Sequence, residues 1–204
     1  YEKAKETGVA LDVERNEGIF TLTVLAQDRP FLFASLAGAI SSFGLTIVRA
    51  EAFSNRAGYV VDSFAFLDPA RNLDLNPPEV ERFRQVMKKV ALGTTKAEDL
   101  LKNRPARRLP GKSGAIEPSA GVDTESASNT TVFEVVAQDR PGLLYSLAAA
   151  ISRLGCNIEV VLVDTEAHKA IDVFHVNKQG SKLAKEEAEA LRASLLAACK
   201  PELR

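Results

Sequence analysis

A five-residue string occurs twice in this chain, and nothing else in the sequence restricts the fold so strongly. Ala26-Gln27-Asp28-Arg29-Pro30 returns as Ala137-Gln138-Asp139-Arg140-Pro141, an offset of 111. At the same offset Leu32, Ser35, Leu36, Ala37, Ala39, Ile40, Ser41, Gly44 and Ile47 meet identical residues, so 14 of the 22 positions from 26 to 47 are shared. Beyond the next turn the offset becomes 110, where Asp62 and Phe64 match Asp172 and Phe174. Self-similarity at a fixed spacing means copies of one structural unit, and 204 residues suffice for two small domains. The reading is residues 1–112 for the first domain with a basic connection, and 113–204 for the second.

Both copies carry the same local signals. Ile19–Ala26 and Thr131–Ala137 are β-rich runs ending at a polar turn, so each reads as a strand. Pro30 and Pro141 suit the first position of a helix, and Asp28 and Asp139 stand where a capping carboxylate is useful. The helices run to Gly44 and Gly155, which serve as C-terminal stops. Strands are expected at 45–54 and 157–165, then at 59–67 and 170–177, joined by short turns and therefore antiparallel. Pro78–Leu92 and Lys182–Cys199 read as closing helices.

The order β-α-β-β-α predicts an α+β protein of two ferredoxin-like (βαββαβ) units, with antiparallel sheets and helices on one face. Each run lacks its fourth strand. A polar connection of nearly 40 residues, Gly93 to Thr130, is too long to be structureless, so Ala115–Thr124 is expected to supply the fourth strand of the first domain. Leu11-Asp12 aligns with Val122-Asp123 at offset 111, which gives residues 9–15 the same duty toward the second domain and predicts an interlocked pair.

Composition excludes several classes. The hydrophobic fraction is 46%, the charged fraction 26% and the net charge −1, so no global field draws the chain to nucleic acid or to a membrane surface. From Phe31 to Val48 no residue is charged, yet Ser35, Gly38, Ser41, Ser42, Gly44 and Thr46 interrupt the run. It reads as an amphipathic helix leading into a strand, not a membrane span. Cys156 and Cys199 lack C-x-x-C spacing and suit a reducing, cytoplasmic setting. No stretch resembles a signal peptide, and a start at Tyr1-Glu2-Lys3 without Met suggests a piece of something longer.

Chemistry is sparse. Gly111-Lys112-Ser113 lacks the earlier glycine of a phosphate loop, since Ala106 stands there. Lys102, Arg104, Arg107, Arg108 and Lys112 have no interleaved aromatics and read as solvated connection. His168 and His175 share one hairpin without metal spacing. Asp62 and Asp172 share strand parity with Phe64 and Phe174, so partial burial is expected. A salt bridge or strand-end hydrogen bond is favoured there over catalysis. What remains is the repeated strand–Asp-Arg-Pro–helix junction. Free N–H groups at a helix start attract a carboxylate and the neighbouring Asp attracts an amino group, so the pair suits a small zwitterion. The alternative is that Asp28 and Asp139 are only caps.

DRPGLLYSLAAAISRLGCNI, followed by a hairpin and AIDVFHV, resembles the ACT domain, a small amino-acid-sensing module. With DRPFLFASLAGAISSFGLTIVRAEAFS and the arginine-rich connection, the pair is similar to the C-terminal segment of the bifunctional uridylyltransferase/uridylyl-removing enzyme family. That resemblance implies a regulatory amino-acid sensor, with glutamine favoured, serving catalytic domains that lie upstream in the family and act on the nitrogen-regulatory PII protein. No cofactor is implied for this chain, a divalent metal only for those absent domains, and a homodimer is left open. A stand-alone tandem ACT protein working through protein contacts is the competing reading. The implied ligand site is where a junction meets a neighbouring domain. It comprises Asp139, Arg140, Pro141, Gly142, Leu143 and Leu144 with Asn157 and Ile158, and more weakly Asp28, Arg29, Pro30, Phe31 and Leu32 with Thr46 and Ile47. The second junction is expected to be the better one. There Gly142 opens the backbone, Asp139 takes the α-amino group, the N–H groups of residues 142–144 take the carboxylate, and Asn157 reads a side-chain amide. At the first junction Phe31 crowds the backbone.

Overall fold

The computed structural model describes residues 6–55, 57–102, 116–166 and 168–200. The Gly111-Lys112-Ser113 string and Arg104, Arg107 and Arg108 lie outside them. Eight strands form one antiparallel sheet: β1 (Val9–Asn16), β2 (Ile19–Gln27), β3 (Thr46–Ser54), β4 (Tyr59–Leu67), β5 (Ser119–Asp123), β6 (Thr131–Gln138), β7 (Asn157–Glu166) and β8 (Lys169–Asn177). Their order is β1-β2-β4-β3-β7-β8-β6-β5. The helices are α1 (Leu32–Ser42), α2 (Asn72–Leu75), α3 (Pro77–Ala91), α4 (Ala97–Lys102), α5 (Leu143–Arg153) and α6 (Lys185–Cys199).

Alternation decides the faces. In β2, Phe20, Leu22, Val24 and Ala26 are buried and their neighbours are not, and Thr131, Phe133, Val135 and Ala137 do the same in β6. The apolar ones among them share one core with α1 and α5, whose Leu36, Ile40, Leu147 and Ile151 are fully buried. Burial of this apolar layer, at about 25 cal/mol per Å², is the main force holding helices to sheet. The two halves are continuous at the centre, where β3 pairs antiparallel with β7 from Arg49↔Asp164 to Phe53↔Val160. The helix α1 packs against α5 above that seam.

The interlocked arrangement expected for the edge strands does not form. The strand β1 pairs with β2, from Val9↔Ala26 to Asn16↔Ile19, and β5 pairs with β6, from Ser119↔Val136 to Asp123↔Val132. Each half is closed by the strand that precedes it. Local turn chemistry explains this. Glu17 (φ 49°) and Gly18 (φ 85°) form a two-residue link with both φ positive, the geometry that suits the twist of a hairpin. After β5, the Asp123 carboxylate accepts from the N–H groups of Glu125 (2.7 Å) and Ser126 (3.0 Å) and turns the chain back toward β6. Closing a short loop costs less chain entropy than reaching across the molecule.

Two further differences matter for the site. The helices α1 and α5 begin at Leu32 and Leu143, two residues after the prolines. In the connection, α4 forms where only polar chain was expected, with Ala97 buried. Among the described residues no helix is long and apolar enough to cross a membrane.

Candidate ligand clefts at the strand–helix junctions

The chain leaves β2 and enters α1 through Asp28-Arg29-Pro30-Phe31. The Asp28 N–H donates to the Gly58 carbonyl (2.8 Å) in the β3–β4 turn, and the Leu32 N–H donates to the Arg29 carbonyl (3.1 Å). The second junction repeats these bonds: Asp139 to His168 (2.8 Å) and Leu143 to Arg140 (3.0 Å). At both N-caps the backbone is left-handed, φ 65° at Phe31 and 80° at Gly142, and neither helix has a side-chain cap bond at that position. Because the Leu143 N–H is already engaged, it is not among the donors a carboxylate would find.

Arg29 and Arg140 tie the junction to the closing helix of each half. Arg29 Nε donates to the Ala91 carbonyl (3.1 Å) and Nη2 to Val90 (2.5 Å), at the end of α3. Arg140 Nη2 donates to the Ala198 carbonyl (2.7 Å) at the end of α6, and to Ser146 Oγ (3.3 Å). Each guanidinium thus satisfies last-turn carbonyls and sits on the negative end of the closing helix.

Strand register regroups the expected site residues. Gln138 pairs with Lys169 at one end of β8, and Asn157 pairs with Asn177 at the other. Eight strand residues separate them, about 25 Å, so Asp139 and Asn157 cannot hold one small ligand. The β3–β7 pairing brings the start of β7 beside the end of β3 instead. There a cleft partly open to solvent is lined by Asp28, Arg29, Pro30, Phe31, Leu32 and Phe33 together with Asn157, Ile158, Ser152 and Cys156 from the other half. The same antiparallel register runs Thr46 and Ile47 alongside the end of β7, whose turn supplies the His168 carbonyl to Asp139. Asn157 and Ile158 therefore line the cleft at the first junction. The sequence offset had matched each junction to a strand of its own half.

The cleft contains a carboxyl that the repeat had flagged for burial without revealing its surroundings. Asp62 lines it and is 2% exposed, and its Oδ2 has no hydrogen-bond partner. Asp172, equally buried, has the same lack at Oδ1. Among the described residues neither forms the salt bridge or strand-end bond that the sequence favoured. Their neighbours across the strands explain why: Asp62 sits between Val24 and Ala52, and Asp172 between Val135 and Val163. Burial pushes the Asp62 carboxyl up to about 8, and the charge of Asp28 adds to the shift. Burial, then Asp139, takes Asp172 up to about 7. Burial also raises Asp28, against the Arg29 N–H, which favours its ionised form. The signal for this pair was the offset-110 identity on core-facing positions.

Residues 131–193 match the ACT domain family. The second half of the chain therefore carries an ACT domain. The first half repeats the same strand order around the same junction. The protein is also similar to bifunctional uridylyltransferase/uridylyl-removing enzymes. The one from Nitrobacter hamburgensis is 31% identical over 175 residues, covering 84% of this chain and 18% of that protein. The one from Phenylobacterium zucineum is 34% identical over 181 residues, covering 87% and 19%. The chain thus spans less than a fifth of the length of the curated relatives it matches. Among solved structures, aspartate kinase from Synechocystis aligns with a TM-score of 0.46 and 16% identity, over 90% of this chain and 28% of that one.

Proposed function

We propose that this chain is a regulatory module that senses an amino acid, with glutamine favoured, and controls uridylylation and deuridylylation of PII protein by catalytic domains outside it. The observation that carries the reading is the cleft between the halves. One wall is a helix start where the Leu32 N–H is taken by the Arg29 carbonyl, and the next N–H groups have no carbonyl one turn back. The other is Asn157, whose amide both donates and accepts. A zwitterion fits this pairing: its carboxylate on the N–H groups of the α1 first turn, its ammonium against the carboxyls, its side-chain amide toward Asn157. Because the two walls belong to different halves, a bound ligand bridges β2–α1 to α5–β7. Ligand energy is thereby coupled to how the halves pack, which is what a regulator has to do. The relatives' names supply the catalytic context, and the reading of PII as partner and of a cytoplasmic setting rests on that kinship. Calorimetric titration of the chain with each protein amino acid tests it. Selective heat with L-glutamine is expected, and no heat with any amino acid would sink it.

A second reading rests on the uncovered face of the sheet. Phe53, Val61 and Leu162 are 50%, 42% and 46% exposed and lie close together across β4, β3 and β7. An apolar patch of that kind suits a protein contact, either a second copy of the chain or another domain.

A further inference from the structure

We propose that Asp62, at the floor of the first cleft, receives the ligand's ammonium group and releases its proton as the ligand enters, with Asp172 as its counterpart in the second half. The inference rests on the amino-acid reading above and adds the residue that selects for the amine. Three observations carry it. Asp62 lines the cleft while 2% exposed, and its Oδ2 has no hydrogen-bond partner. A buried polar atom left unmatched costs stability, so a chain that places one there twice gains something other than stability from it. Asp28 lies close enough for its charge to act on Asp62, which puts two carboxyls at one cleft. Finally, the Arg29 guanidinium is bonded to the carbonyls of Val90 and Ala91, and among the described residues it forms no ion pair with either carboxyl.

The groups facing Asp62 from the surrounding elements are consistent with a cation receptor. The strands β2 and β3 present Val24 and Ala52, and α1 presents Leu32 and Phe33. The junction presents Asp28 and Arg29, and the other half presents Ser152, Cys156 and Asn157. Burial pushes the Cys156 thiol up, so it stays neutral. Desolvation likewise holds the free carboxyl in its neutral form at pH 7. An arriving ammonium stabilises the carboxylate. The Asp62 proton passes to solvent, and the carboxylate accepts a hydrogen bond from the ammonium in its place. Charge balances: one cation enters the cleft and one proton leaves.

The test is calorimetry of the 204-residue chain with L-glutamine, then with each of the other protein amino acids, in phosphate and in Tris at equal pH. The expected result is a heat that differs between buffers by the ionisation heat of the released proton, and affinity that rises on the order of tenfold from pH 6 to pH 7. Asp62→Asn should weaken binding 10- to 100-fold, and Asp62→Asn/Asp172→Asn should abolish the buffer dependence. Glutamine lacking its α-amino group (glutaramic acid) should not compete. Buffer-independent heat with the unmodified chain would overturn the proposal without reference to any variant. So would undiminished binding by Asp62→Asn, and either result leaves the amino-acid reading intact. Absence of heat with every amino acid overturns that reading and this inference with it.

Discussion

The two strand–helix junctions follow the same path and differ in what they show to a ligand. Both use a left-handed residue to enter the helix, but it is Phe31 in one and Gly142 in the other. Both send an arginine to the end of the closing helix. Both place an unmatched carboxyl beneath the junction, shifted to about 8 in the first half and about 7 in the second. The facing half offers Asn157 to the first. The path of the chain and its carboxyls are present twice, whereas the residue that enters the helix has diverged. Two sites of one ancestry can then differ in affinity without any change of architecture.

The largest effect expected from breaking this comparison is in stability against pH. Below about pH 4 each buried aspartate is protonated in the folded and unfolded chain alike, and contributes nothing. As pH rises, the unfolded chain ionises first, so stability falls until the folded carboxyl also ionises, at about 8 for Asp62 and about 7 for Asp172. Asp62→Asn should therefore leave Tm unchanged near pH 4 and raise it progressively to a plateau above pH 8, a gain on the order of several kcal/mol. Asp172→Asn should plateau about one unit earlier at a smaller gain. Thermal melts across pH 4–9 read this directly, and curves parallel to the unmodified chain would contradict it.

Next in size is the seam between the halves. A Cβ at Gly38 would stand 2.9 Å from Tyr145 Cδ2 and 3.1 Å from Ala97 Cβ. The counterpart of Gly38 in α5 is Ala149, so the close approach of α1 to α5 and α4 depends on the first half alone. Tyr145 can swing aside, but Ala97 belongs to a backbone that must move. Gly38→Leu should cost about 1–3 kcal/mol, against Gly38→Ala, where gained helix propensity offsets part of the strain. Denaturant midpoints with unchanged m-values distinguish the two.

Much of this architecture could be read from the residues. Alternation in 59–67 marked β4 to its ends, and the repeated Asp-Arg-Pro string located both junctions. The pairing of β3 with β7 could not be read. The residues that meet there, such as Ala52 and Val161, are apolar on both sides of the seam and would look the same in two separate domains. That one pairing decides which facing strand completes which junction. The sequence could therefore propose site residues but could not assign the facing strands to their junctions. The helix starts were misplaced for a different reason: Phe31 in a left-handed conformation defies the ordinary preference of an aromatic residue, and tertiary context imposes it.

The division itself can be tested through binding energies. Asp28→Ala and Asn157→Ala should each weaken glutamine at the first cleft about tenfold, close to 1.4 kcal/mol. Sharing one ligand, they should be non-additive in a double-mutant cycle. Asp139→Ala combined with Asn157→Ala should be additive, because about 25 Å of strand lies between them. Coupling of Asn157 to Asp139 and not to Asp28 would reverse the assignment of strands to junctions.

The smallest effect sharpens the contrast at the helix entrance. At Gly142 an added Cβ would meet nothing within 4 Å, so any cost of Gly142→Ala is backbone strain from φ 80° and not crowding. A left-handed residue with a Cβ costs about 1–2 kcal/mol, and a loss near 1 kcal/mol is expected. Phe31 already bears that cost, offset by its packing against the core. Phe31→Gly removes strain and packing together and should come out nearly neutral. Phe31→Ala removes the packing and keeps the strain, so it should be about 1 kcal/mol worse than Phe31→Gly. At both junctions glycine should outrank alanine, the reverse of their order inside a helix. Urea midpoints for the three variants decide the matter. If alanine matches or exceeds glycine at position 31, the left-handed entrance is not what the two junctions have in common.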